Sequence, residues 1–96
     1  MAKAPQNLVE LPAVVDLDAV DGVRDSLIAA LERGPVTVAA SAVARISTNA
    51  LILLLSAAET ARRNSFAFEI TGASAAARSA IERLGFGSAF AGLMKG

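Results

Sequence analysis

An α/β fold built on a largely parallel sheet is what this sequence predicts, and three observations lead there. Short apolar runs of strand composition alternate with longer stretches whose apolar residues recur at helical spacing. One run, Val36 to Ala40 (V-T-V-A-A), has the apolar character of a central parallel strand buried on both faces. It leads through a short connection into a helix-like stretch, Ser47 to Arg63, which opens on the polar triplet Ser47-Thr48-Asn49 and closes on Arg62-Arg63-Asn64. Such alternation gives a small, mostly parallel or mixed sheet of four to five strands, three main helices and right-handed crossovers.

In chain order, Leu8 to Val15 (L-V-E-L-P-A-V-V) has strand composition, but Pro12 has no N–H for a ladder. That segment is expected to be an edge strand, or two short strands with a turn near Pro12. Asp16 and Asp18 are helix-start acids, and Val20, Val23, Leu27 and Leu31 mark an amphipathic helix to about Arg33, ended by Gly34-Pro35. After the Val36 strand, Ser41 to Ile46 reads as a tight connection. The next helix should face inward through Leu51, Leu54, Leu55, Ala58 and Ala61. Phe66, Phe68 and Ile70 alternate with Ala67 and Glu69, a strand pattern. Ser74 caps a third helix, Ala75 to Leu84, with Ala77, Ala80, Ile81 and Leu84 inward and Gly85 as its stop. The tail, Phe86 to Gly96, holds Phe90, Leu93 and Met94 and is read as a last short helical turn.

Composition narrows the function. A chain of 96 residues is expected to form one domain, with its core over about residues 8–86. Hydrophobic residues make up 54% and aromatic ones only 4%, so alanine and branched aliphatics must fill the interior. Basic and acidic residues number nine each, and there is no Tyr or Trp to stack bases, which argues against a nucleic-acid partner. Cysteine and histidine are absent. With them go disulfides, Cys/His metal sites, Cys nucleophiles and Ser-His pairs, so neither catalytic residues nor a cofactor or metal is expected. Asp16, Asp18 and Asp21 form no recognisable ligand loop and read as helix-start charges. Behind Met1 to Asn7 there is no apolar export segment, and Ala50 to Ala58 is too short to span a bilayer, so a cytoplasmic protein is expected.

The stretch V-A-A-S-A-V-A-R-I-S-T-N-A-L resembles the signature of STAS domains, the fold of bacterial anti-sigma factor antagonists, whose pattern there is roughly L-D-L-S-G-V-x-x-I-D-S-S-G-L. Val38, Ser41, Val43, Ile46 and Leu51 match, and Thr48 falls where the family carries its phosphorylatable Ser or Thr. Val15-Asp16 with Val20, Val23, Leu27 and Leu31 is similar to the family's L-D-x-x-x-A-x-x-L, and Ser74-Ala75-Ala76 with Leu84-Gly85-Phe86 resembles its S-P-A and S-G-L. The resemblance implies the STAS fold and a non-enzymatic role in a partner switch. In such a switch the domain binds a kinase-fold anti-sigma factor, or a histidine-kinase-like regulator, until the acceptor hydroxyl is phosphorylated. The small STAS subunit of phospholipid-transport ABC complexes, which binds its ATPase, is similar too.

On this resemblance Thr48 is the phosphoacceptor-like residue, and Arg45, Ser47, Thr48, Asn49 and Ser74 are the expected partner contacts. Each also has a purely structural reading: Ser47, Thr48 and Asn49 as helix caps, Arg45 as a solvated loop arginine, Ser74 as an N-cap. The chain departs from the family pattern at the site. Ser47 stands in place of the Asp before the acceptor, Ala39 in place of the strand Asp, and Asn49-Ala50 in place of Ser-Gly. Phosphorylation is therefore expected to be weak or absent.

Overall fold

Pro12 divides the first apolar run. Leu8–Glu10 forms β1 and Val14–Val15 forms β2, on either side of a proline with no N–H to give to a ladder. The computed structural model describes residues 7–95; Lys3 with the rest of residues 1–6, and Gly96, lie outside them. The remaining elements are α1 (Leu17–Leu31), β3 (Val36–Ala39), β4 (Arg45–Ile46), α2 (Thr48–Arg63), β5 (Phe68–Thr71), α3 (Ala75–Arg83), α4 (Gly87–Ala91) and β6 (Met94–Lys95).

All strand pairs are parallel. The main sheet has the order β1-β3-β5-β6, with Val9 opposite Val38 and Val38 opposite Ile70. Both expectations for the first run hold at once: it is two short strands, and β1 lies at a sheet edge. β2 leaves that sheet and pairs with β4 in a separate two-stranded ladder, Val14 opposite Arg45 and Val15 opposite Ile46. β4 lies inside the segment expected to be a plain connection.

Val36 and Val38 of β3 are almost wholly buried, and Leu51, Leu54 and Ala61 of α2, Val23 and Leu27 of α1, Ile81 of α3 and Phe90 of α4 share one core with them. With so few aromatics, alanines do much of the close packing: Ala30, Ala50, Ala57 and Ala77 are all buried. The inward stripe of α2 is rotated slightly from the expected one. Ala50 and Ala57 are buried, while Leu55 and Ala58 are only half-buried.

Two helix ends correct the sequence reading. α2 ends in a paired hydrogen-bond motif, with Phe66 N–H donating to Ala61 C=O (2.8 Å) and Ser65 N–H to Arg62 C=O (3.1 Å). Ser65 takes the left-handed conformation, φ 61°, that this closure demands. Phe66 therefore belongs to the helix exit, and the strand begins at Phe68. α3 closes in the same way, with Phe86 N–H on Ile81 C=O (2.8 Å), Gly85 N–H on Glu82 C=O (3.1 Å) and Gly85 at φ 83°. The turn at Gly85 leaves Leu84 exposed rather than inward. The tail supplies the expected helical turn as α4 and then an unexpected strand, β6, which pairs Met94 with Ile70.

Candidate functional site

The β2–β4 ladder sets two helix starts side by side. Each strand is two residues long, and each runs directly into a capping residue and a helix: Val14-Val15, then Asp16, then α1; Arg45-Ile46, then Ser47, then α2. Main-chain bonds fix the pair, with Ala44 N–H and Arg45 N–H on Ala13 C=O (2.7 and 3.0 Å) and Ser47 N–H on Val15 C=O (2.9 Å). The register thus brings Asp16 next to Ser47. Asp16 is a helix-start charge, as expected, but also the acid beside the α2 tip, which linear spacing did not reveal. The repeated pattern of two strand residues followed by a cap was the signal that would have shown it.

The five expected contact residues gather at this end with unequal freedom. Ser47 is half-buried, and its hydroxyl accepts from Ala50 N–H at 3.1 Å, so it is the N-cap of α2. Thr48 and Asn49 are exposed, and among the described residues neither side chain takes part in a hydrogen bond. Their backbone N–H groups belong to the first helical turn, where no intrahelical acceptor exists. Arg45, on β4, is exposed and forms no ion pair among the described residues. Ser74 caps α3 by accepting from Ala77 N–H (3.1 Å) and donates its own hydrogen to Val43 C=O.

That second bond ties α3 to the loop ahead of the tip. Val43 is 3% exposed and anchors the loop in the core, while Ser74 N–H bonds Ala40 C=O at 3.1 Å. Gly72, at φ 60°, brings its loop close to Ser41; a Cβ there would lie 3.6 Å from Ser41 Cβ. Three segments therefore hold the α2 tip: the Ala13–Val15 main chain, the buried Val43 and the start of α3.

Chemically, the tip offers a hydroxyl, an amide, two helix N–H groups and a guanidinium. Among the described residues no three acidic side chains gather into a metal-binding group, and no helix is long and apolar enough to cross a membrane. Comparison with curated proteins and with solved structures finds no match. A family model described as "Mlab, STAS domain" matches residues 2–94, nearly the whole chain. With an all-parallel small α/β architecture and a capped helix tip where the signature places it, the chain belongs to the STAS domain family.

Proposed function

We propose that this chain is a non-enzymatic STAS docking module whose α2 tip binds a kinase-fold anti-sigma factor or a related regulator in the cytoplasm. The observation that carries this reading is the division of labour at the tip. Ser47 does the capping, which leaves Thr48 and Asn49 exposed with no side-chain bond among the described residues, on a frame fixed by main-chain hydrogen bonds. Side chains that served as caps would engage the first-turn N–H groups, as that of Ser47 does. Arg45 and Ser74 frame the same surface, Arg45 as an exposed cation without an ion pair among the described residues and Ser74 as the support of the loop. The charge balance and the missing Tyr and Trp favour a protein over a nucleic acid as partner.

A second reading, a STAS subunit bound to the ATPase of a phospholipid-transport ABC complex, draws support from the departures at Ser47 and Ala39. A tip without those carboxylates suits a standing contact better than one broken by phosphorylation. Capture from cell extract on immobilised wild-type protein and on Thr48→Glu tests both readings. A kinase-fold protein held by wild type and lost by the variant is the expected result, and an ABC ATPase with the same behaviour gives the second reading. Equal capture of every bound protein by both forms defeats the docking role of Thr48.

A further inference from the structure

Away from the tip, α1 and α2 leave an open apolar groove of about 530 Å³, walled by Leu27, Ile28 and Leu31 on one side and Leu53 and Ala57 on the other, with Phe66 among its lining residues. Ile28 is half exposed (50%), beside Leu27, which is almost wholly buried. The charged residues on the rim, Arg24 and Glu32, stand four positions before and four after Ile28. Both are exposed and share its face of the helix.

That spacing is self-complementary. A two-fold axis passing beside Ile28 lays two copies of α1 antiparallel and sets Arg24 of each toward Glu32 of the other. Each Ile28 then enters the groove of its mate, where Ser56 and Ala57 leave room beside it. Among the described residues Arg24 pairs with Asp21 at 3.8 Å, with both side chains more than half exposed, a contact too loose to compete strongly. We propose that this groove is the interface of a homodimer, closed by reciprocal Arg24–Glu32 ion pairs around Ile28. The chain's zero net charge removes the general repulsion that would oppose such association. The face spans only about three helical turns, a small contact, so the dimer is expected to be weak. The groove runs toward the Asn64 end of α2, so a dimer leaves the Thr48 tip free, and this inference stands or falls apart from the docking role proposed above.

Analytical ultracentrifugation of the full chain from about 10 to about 500 micromolar tests it. Wild type is expected to pass from monomer to dimer across that range, less readily at high salt. Ile28→Glu is expected to stay monomeric with an unchanged far-UV spectrum. Arg24→Glu and Glu32→Arg are each expected to weaken association by about tenfold or more, and the double exchange to restore it to within about threefold of wild type. A wild type that stays monomeric throughout overturns the proposal. So does a dimer indifferent to Ile28→Glu, or single charge reversals that the double exchange fails to rescue.

Discussion

The Ser74 hydroxyl donates to the carbonyl of Val43, 31 residues earlier, while accepting the N–H of Ala77. One oxygen both caps α3 and pins the loop that leads to the α2 tip. Ser74→Ala removes both bonds, with an expected cost of about 1–2 kcal/mol in chemical denaturation. The loss should be local as well: amides from Ser41 to Ser47 are expected to exchange faster in the variant than in wild type. Uniformly raised exchange across the whole chain would mean that Ser74 acts only as a cap.

Leu54 is 3% exposed and Ile52, on the opposite side of the same helix, is 47% exposed. Leu54→Ala should cost about 2–5 kcal/mol, because it opens a cavity in the shared core. Ile52→Ala should fall within about 0.5 kcal/mol of wild type. Urea titration of the two variants side by side reads the contrast.

Ser65 holds a left-handed conformation that costs a side chain with a Cβ and costs glycine almost nothing. Gly85 occupies the equivalent place after α3. Ser65→Gly is therefore expected to raise stability by about 0.5–1 kcal/mol, visible as a higher Tm.

At the tip, Thr48→Glu and Thr48→Ala should both leave Tm near the wild-type value, since Ser47 carries the cap. Thr48→Glu should weaken binding of the captured partner strongly, by placing a carboxylate in the contact. Incubation with a kinase-fold partner, ATP and magnesium is expected to leave the intact mass unchanged. The family's Asp positions are Ser47 and Ala39 here, and Asp16, the acid beside the tip, is already engaged by the N–H groups of Asp18 and Ala19. Rapid, complete addition of one phosphate at Thr48 would reverse that expectation.

Glu59 lies on the exposed face of α2 with Arg62 hydrogen-bonded to both of its oxygens. That bond, helped by the charges of Arg62 and Arg63, holds the carboxyl below its ordinary value of 4.5. A lowered folded-state pKa gives stability that is present above the unfolded value and is lost as pH falls through the folded one. Glu59→Gln should thus lie slightly below wild type in Tm at neutral pH, with the gap closing under strongly acid conditions. Full exposure of the group keeps the effect small.

The sequence carried the long elements well, because α1 and α2 each show several turns of apolar spacing and a polar cap. It carried the two-residue strands poorly. Arg45-Ile46 and Met94-Lys95 are too short for alternation to register, and only partners distant in the chain, Val14-Val15 and Ile70-Thr71, make strands of them. Leu84 shows a second limit: its spacing places it inward, but a backbone turn one residue later decides its exposure. At the site, residue types alone left Ser47, Thr48 and Asn49 equivalent as caps. Geometry separates them, since one hydroxyl meets Ala50 N–H and the other two side chains face outward.

The β2–β4 ladder has a consequence for how such a surface can change over evolutionary time. The bonds that station residues 47–49 run through the main chain of Ala13, Val15, Ala44 and Arg45 and through a single serine hydroxyl. Among the described residues neither the Thr48 nor the Asn49 side chain bonds to its surroundings, so the mounting is indifferent to what is mounted. A lineage can rewrite those two positions without renegotiating the core.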